Sequence, residues 1–476
     1  MQWDATLKLR CFVAGKPVEG AGELTVRSPY NGAEAGSVAL ASRSDVEAAV
    51  AACIGFRDTP NRFQRSEMLD KARAAIESQR ELFARLITAE SGLALREARY
   101  EVGRALDVLR FAAIEALRDD GQVFSADISP QGKARKIFTL REPLRCAAAI
   151  TPFNHPLNQV AHKVAPAIAA GTPIILKHSE KTPLTALKFA EALYAAGLPG
   201  PMLSVLLGPT DQVAEPLVRH PDVEVVAFTG SVAVGKRIAG MAGYKRTVVE
   251  LGGNDPLIVL GDADLDLAVT LAAEGCYRNS GQRCTAVKRI LVEDSAAAEF
   301  TRRLVERTRD YVCGDPMNEA TRVGTVIDEN AAIYLETVLN EAIAAGAKVL
   351  IGGKRVGALF EPTVVVDAPR ESRMVVCESF GPFAPILKVR ALDDALELAN
   401  ATAYGLSSGV VTSNISAAVK AVKTLRCGTV NINELPGFRT ENSPFGGVKD
   451  SGLGVKEGVI EAMKSFTYVK TFSLPW

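Results

Sequence analysis

Between Tyr277 and Arg289 the chain reads Y-R-N-S-G-Q-R-C-T-A-V-K-R, and Cys284 is the residue in it that could form a covalent bond to a substrate. The thiolate is the form that attacks carbon, and the cations Arg283, Lys288 and Arg289 on either side favour it over the thiol. Taken alone, the same cysteine reads equally as a small buried hydrophobe. Glu250 is the second candidate. It ends the apolar run R-T-V-V-E-L just before Gly252 and Gly253, where burial would raise its pKa towards that of a general base. A satisfied ion pair is the plainer alternative. Asn154, in T-P-F-N-H-P, is either a turn residue or a side-chain amide donor for an oxyanion.

Such residues need elements to hold them. Five short apolar runs, at 146–151, 172–177, 202–208, 224–230 and 246–251, alternate with helical stretches. That alternation predicts a parallel, doubly wound sheet with its ligand at the carboxyl ends of the strands. Pro152, Asn154, His178, Gly208, Gly230, Gly252 and Gly253 collect at those ends. Beyond Asp255 a second α/β region is predicted, with strands near 257–260, 287–293, 361–366, 384–390, 406–412 and 428–432. The two regions are expected to pack closely around a cleft.

Ahead of the first strand run the chain predicts short strands and turns to about residue 40, then helices. Ser44 and Glu47 read as a capping box, with Val46, Ala49, Val50, Cys53 and Ile54 on one face. Longer helices are predicted over 62–90 and 94–118, and in the second Arg104 lies off the apolar spine as a solvated charge. Residues 125–143 alternate polar and apolar about a P-Q-G turn, and the closing S-F-T-Y-V-K-T-F-S-L-P-W alternates as a strand. A half-apolar hairpin and tail predict cover by a partner subunit, hence a homo-oligomer.

Composition narrows the function classes. At 476 residues the chain has room for about three domains. Lys plus Arg equals Asp plus Glu at 55 each, so no global field draws it to nucleic acid or to a membrane surface. Eight cysteines and four histidines show no C-x-x-C pair and no metal-ligand spacing, which predicts free thiols in a reducing compartment and no metal. The start, M-Q-W-D-A-T-L-K-L-R, lacks the apolar core of a signal peptide, and no run approaches the length of a membrane span. The expected location is the cytoplasm.

The loop G-S-V-A-V-G-K-R at 230–237 follows a strand and opens a helix, so it is either a tight structural turn or a seat for a dinucleotide pyrophosphate. It is not a P-loop, because Arg237 stands where a Mg²⁺-binding hydroxyl is required. In the preceding strand-to-helix turn, Lys177 and Glu180 offer a cation and a carboxylate. A carboxylate there can accept ribose hydroxyls and repels a 2′-phosphate, which favours NAD over NADP.

Together, T-P-F-N-H-P-L, L-K-H-S-E-K-T-P-L, F-T-G-S-V-A-V-G, E-L-G-G-N-D-P, N-S-G-Q-R-C-T, E-S-F-G-P-F and N-S-P-F-G-G-V-K-D-S-G resemble, in order and spacing, the signature segments of the NAD(P)-dependent aldehyde dehydrogenase superfamily. The resemblance covers essentially the whole chain. It implies a doubly wound NAD-binding domain (1–124 and 144–253), an α/β catalytic domain (254–464) and a small β oligomerisation element (125–143 and 465–476), assembled as a homodimer or homotetramer. It implies Cys284 as nucleophile, Glu250 as the base that activates water, and Asn154 as an oxyanion donor. Cofactor contacts are implied for Thr151, Pro152, Phe153, Lys177, Glu180, Gly230, Ser231, Leu251, Glu378 and Phe380. His178, where proline is common, and Val232, where threonine is common, depart from the pattern on the cofactor side.

Arg283 beside the nucleophile and His155 beside Asn154 are unusually basic for these places, and Arg104 and Arg439 lie in segments that build the family's substrate tunnel. An arginine and histidine cluster reads as a pocket for phosphate, phosphonate or carboxylate, so the expected partner is a small anionic aldehyde. Y-E-V-G-R-A-L-D-V, A-L-R-D-D-G-Q-V-F-S and F-G-G-V-K-D-S-G-L-G-V-K-E-G are similar to the branch that oxidises phosphonoacetaldehyde. The alternatives are oxidation of glyceraldehyde 3-phosphate without phosphorylation, and of succinate semialdehyde.

Overall fold

The computed structural model describes residues 7–476, so Met1–Thr6 of the polar N-terminal run lies outside the described residues. Short strands β1 (Lys8–Arg10), β2 (Phe12–Val13), β3 (Lys16–Pro17), β4 (Glu23–Arg27) and β5 (Glu34–Ala39) open the fold. β1, β5 and β4 form a sheet of their own. Helix α1 (Arg43–Gly55) follows, and its capping box is made by Ser42 and Asp45 rather than by Ser44 and Glu47. Both pairs have the required spacing. The chain is extended at Ser42, φ −110°, so the earlier pair caps.

The helix expected over 62–90 is two helices. α2 (Arg62–Ser78) ends at Gln79, whose φ of −113° leaves the helical range, and α3 (Arg80–Ser91) restarts at once. No glycine or proline marks the break; both pieces pack on α4 (Leu95–Ala116), which sets the bend. α3 ends at Gly92, left-handed at φ 73°, where a Cβ would lie 1.7 Å from Thr325 Oγ1. Only glycine lets the helical layer approach the second half of the chain so closely.

β8 (Ala147–Ile150), β9 (Ile174–Lys177), β10 (Leu203–Leu206), β11 (Val225–Thr229) and β12 (Arg246–Glu250) are the five expected strands. They run parallel in the order β12-β11-β8-β9-β10, and antiparallel β2 and β3 extend the sheet beyond β10. Helices α5 (Asn158–Ala170), α6 (Pro183–Ala195), α7 (Ala214–Arg219) and α8 (Val232–Ala242) cross between them. Neither α5 nor α6 has a side-chain cap of its own. Glu101 of α4 accepts the N–H groups of Leu157 and Asn158 at 2.9 and 3.1 Å, and Glu90 of α3 accepts those of Leu184 and Thr185 at 2.8 and 3.1 Å. Two buried carboxylates thus satisfy donors that would otherwise be orphaned.

The second sheet holds β13 (Asp255–Val259), β14 (Val287–Glu293), β15 (Lys348–Ile351), β18 (Thr363–Val366), β19 (Phe383–Val389), β20 (Ser407–Val411) and β21 (Thr429–Ile432). Its order is β15-β18-β19-β14-β13-β20-β21, parallel except for β15. β15 and the ribbon of β16 (Arg355–Val356) with β17 (Leu359–Phe360) were not expected from sequence. They are short and half-exposed, so their apolar pattern is weak. Alternate strand residues feed two apolar cores, Ile258, Leu291 and Val410 on one side and Leu257, Ile290 and Val411 on the other. Helix α9 (Leu265–Tyr277) leads from β13 to the Cys284 loop.

A third sheet, β22-β7-β6, joins β6 (Val123–Ser125), β7 (Arg135–Pro143) and the closing strand β22 (Thr467–Pro475). β22 pairs antiparallel with β7 from Thr467↔Pro143 to Pro475↔Arg135. Phe124, Val469, Phe472 and Leu474 are exposed on it.

Candidate active site

The loop before Cys284 is strained. Asn279, Ser280 and Gly281 follow one another at positive φ of 54°, 52° and 72°, a conformation that costs energy in a non-glycine residue and persists only where surroundings enforce it. The enforcement is a set of hydrogen bonds from both halves of the chain. Asn279 Nδ2 donates to Asn154 O at 2.8 Å, Asn154 Nδ2 donates to Gln282 O at 2.9 Å, and Ser280 Oγ donates to Gly324 O at 3.0 Å. Gln282 Oε1 accepts the Ile327 N–H at 2.8 Å. Asn154 is therefore brought against the Cys284 loop, with its amide engaged there by a main-chain carbonyl.

Cys284 lines a pocket of about 270 Å³ together with His155, Arg104, Arg278, Arg283 and Arg439. All four residues expected to hold a substrate anion share this wall with the thiol, and their partners set them apart. Arg104 is bound by Glu441 through two donors, one at 3.1 Å, so it is neither a solvated charge nor free for an anion. His155 Nδ1 lies 3.2 Å from Glu101, the carboxylate that also closes α5. Arg278 donates to Glu97 at 2.8 Å and stacks on Tyr100. Arg283 has no carboxylate partner among the described residues; its Nη2 donates to Glu274 O and Gly275 O at the C-terminal end of α9. Arg439 lies 3.6 Å from the centre of the Phe445 ring and makes no ion pair among the described residues. Nε of Arg283 and Nε of Arg439 are buried without a hydrogen-bond partner among the described residues. Burial pulls both guanidinium pKa values down, that of Arg283 to about 10.

The sequence expectation for the thiol is corrected. Burial raises the Cys284 pKa, and Lys288 and Arg439 oppose it without prevailing. Arg289 contributes nothing there, because its guanidinium is buried on the carbonyls of Asn254, Leu398 and Ala399.

Glu250 does not line the pocket; it is buried close enough to Arg439 to feel its charge, and among the described residues neither carboxylate oxygen has a side-chain hydrogen-bond partner. Burial pushes its pKa up to about 8, with Lys163 and Arg439 pulling the other way. A Cβ on Gly446 would meet Glu250 Oε1 at 2.3 Å, so glycine is what lets this loop pass over the carboxylate. Lys163, paired with Glu457, is itself pushed down to about 7 by burial.

The residues expected to meet the cofactor lie along the carboxyl edge of the first sheet. Thr151, Pro152 and Phe153 follow β8, Lys177 ends β9, Gly230 and Ser231 follow β11, and Leu251 follows β12. Lys177 Nζ is 3.0 Å from Glu180, whose side chain is 60% exposed. Ser231 Oγ accepts the Val234 N–H and caps α8. Across the cleft, Glu378 accepts the Gly253 N–H at 3.2 Å, and Phe380 meets Phe153 edge to face at 6.0 Å. Thr151 Oγ1 and Thr229 Oγ1 are buried at this edge without partners among the described residues. Those orphaned hydroxyls, with the α8 N-terminus and the outward Glu180, fit a dinucleotide.

Glu441, Glu101, Lys163, Gln159 and His162 escaped the sequence reading. Gln159 lines the pocket, and His162 Nε2 is 2.5 Å from Glu441. His155, Gln159 and His162 recur at i, i+4 and i+7, the signature of one helix face, and that spacing could have revealed the last two. Among the described residues, no helix is long and apolar enough to cross a membrane.

Comparison with known proteins agrees with this geometry. The model of the aldehyde dehydrogenase family matches residues 17–472. The chain belongs to that family, whose members are oxidoreductases converting aldehydes to acids. It is 37% identical over 457 residues to 3-sulfolactaldehyde dehydrogenase of Priestia aryabhattai, with 96% of each chain covered. It is 38% identical over 409 residues to sulfoacetaldehyde dehydrogenase of Neptuniibacter caesariensis, covering 86% of this chain and 89% of that one. The crystal structure of NADP-dependent glyceraldehyde-3-phosphate dehydrogenase from Bacillus halodurans C-125 complexed with NADP superposes with a TM-score of 0.95 at 33% identity, covering 98% of this chain and 99% of that one.

Proposed function

We propose that this chain oxidises phosphonoacetaldehyde to phosphonoacetate with NAD, through a covalent intermediate on Cys284. The observation that carries the proposal is the pair Arg283 and Arg439, two half-buried arginines lining the pocket with Cys284, each with its Nε unpartnered and neither with a carboxylate partner among the described residues. Cations drawn partly out of water without a counter-charge are costly, and an anionic substrate tail would supply one. A phosphonate carries close to two negative charges near neutral pH, as a phosphate ester does, which matches two arginines better than one carboxylate or sulfonate would.

In this reading Cys284 Sγ attacks the aldehyde carbon, and the oxyanion is received by the Asn154 amide and the Cys284 N–H. NAD held at the carboxyl edge of the first sheet, by Ser231 and Glu180 among others, would supply the hydride acceptor, and loss of hydride from that carbon would leave a thioester on Cys284. Glu250 removes a proton from the water that displaces Cys284, releasing the acid. Over the cycle, aldehyde, water and NAD⁺ give carboxylate, NADH and two protons. Glu180 at the ribose position supports NAD over NADP. The first sheet is the cofactor-binding unit, the second carries Cys284, and the exposed apolar face of the third serves subunit pairing in a dimer or tetramer.

The relatives named for sulfonated aldehydes give a second reading, oxidation of sulfoacetaldehyde, in which the same two arginines hold a tetrahedral monoanion. An NADH-absorbance panel of phosphonoacetaldehyde, sulfoacetaldehyde, glyceraldehyde 3-phosphate, succinate semialdehyde and a neutral aldehyde separates them. We expect the highest kcat/KM for phosphonoacetaldehyde, and Cys284→Ser should abolish NADH formation. A preference for the neutral aldehyde would overturn the anion pocket altogether.

A further inference from the structure

Lys288 begins its side chain four residues after Cys284, near the start of β14, and 3% of it is exposed. A buried ammonium is costly unless its donors are used, and here they are spent on the nucleophile loop. Nζ donates to Arg283 O and to Cys284 O, each at 2.8 Å, and stands 3.3 Å from Glu378 Oε1. The Arg283 carbonyl and the Cys284 N–H belong to a single peptide group. A cation at the oxygen end of a peptide polarises it and strengthens the N–H at the other end as a donor. With both flanking carbonyls clamped, that peptide also cannot turn.

We infer that Lys288 is a positioning residue for the reaction: it aims and strengthens the Cys284 N–H that receives the oxyanion, and it keeps a positive charge beside the thiol. The inference rests on Cys284 being the nucleophile, as proposed above. The charged groups facing the thiol are Lys288 and Arg439 against Asp255 and Glu378. Those facing the ammonium are Glu378, Asp255 and the thiols of Cys276 and Cys284. Burial raises the Cys284 pKa, and Lys288 is the strongest opposing group. Without it, Asp255 and Glu378 would face the thiol with Arg439 alone against them.

The test compares full-length wild type with Lys288→Gln and Lys288→Arg. Iodoacetamide labelling of Cys284 is followed against pH by peptide mass spectrometry, beside the pre-steady-state NADH burst on the best aldehyde of the panel. Lys288→Gln should raise the labelling midpoint by about one pH unit, a tenfold loss of thiolate at neutral pH. The burst should slow about tenfold, with KM for the aldehyde within about threefold of wild type. Lys288→Arg should recover most of both losses. A merely structural role would lower Tm and leave the midpoint of the folded enzyme in place. A folded Lys288→Gln enzyme with a wild-type midpoint and burst overturns the inference. Should that variant not fold, Lys288→Met, which keeps the length of the buried stem, takes its place: a raised midpoint with a slowed burst supports the inference, and wild-type values of both overturn it. Failure of the nucleophile reading looks different, since labelling Cys284 in the wild type would then leave NADH formation intact.

Discussion

The carboxyl edge of the first sheet and the arginine-lined pocket beside it are built on opposite plans. At the edge, side chains settle locally: Lys177 pairs with Glu180 three residues on, and Ser231 caps the helix it begins. In the pocket they settle at long range. Arg104 finds Glu441 at a separation of 337 residues, His155 finds Glu101, and Arg278 finds Glu97. Place along a strand therefore decides what an edge residue can touch, whereas in the pocket the deciding fact is which charges are already partnered.

Breaking the chemistry that both regions serve should give the largest effect. Glu250→Gln is expected to stop the cycle at the thioester, with a normal NADH burst followed by steady turnover at least about a hundredfold below wild type. Stopped-flow absorbance reads both phases, and undiminished turnover would assign water activation to another group. The wild type carries a pH signature of the same residue. Burial holds the Glu250 pKa at about 8, and the base must be ionised to act. Thioester hydrolysis should therefore climb as pH rises through that value and level off above it; a rate that falls over this range contradicts the assignment.

The division between partnered and unpartnered arginines is sharpened by a pair of substitutions. Arg439→Gln should lower kcat/KM for phosphonoacetaldehyde by about ten- to a hundredfold, the loss of a charge-assisted bond, and spare Tm, because no ion pair is broken. Arg104→Gln should do the reverse. It strands the buried Glu441 carboxylate with His162, and breaking such a pair costs about 3–5 kcal/mol of stability, which calorimetry reads as a lowered Tm. Equal Tm losses in both variants would erase the distinction. The smallest effect belongs to the edge. Glu180→Gln should raise KM for NAD by only about fivefold, the worth of one hydrogen bond at a half-exposed site, and improve the use of NADP.

How much of this could be read beforehand follows the same division. The five strands of the first sheet, and β13, β14, β18, β19, β20 and β21 of the second, were legible because apolar runs bounded by turn residues have few other uses. Cys284, Arg104, Arg283, His155 and Arg439 were rightly expected in one place. The state of each was not. Arg104 was read as solvated because its partner is remote in sequence, and Arg289 was credited to the thiol because it is near in sequence. Arg289 is instead held on the Asn254 carbonyl, and Lys288, which does act on the thiol, does not outweigh burial at Cys284. The break at Gln79 and the edge strand β15 lacked any local signal, since packing on α4 and pairing with β18 produce them.

The three left-handed residues before Cys284 carry a consequence for how the chain matures. That backbone is unfavourable in isolation, and its ties run to Asn154 in the first half and to Gly324, Thr325 and Ile327 in the second. Cys284, the proposed nucleophile, is therefore presented only once both halves have docked. A chain still emerging or half assembled holds an ordinary flexible cysteine, so arming of the reactive sulfur coincides with completion of the fold.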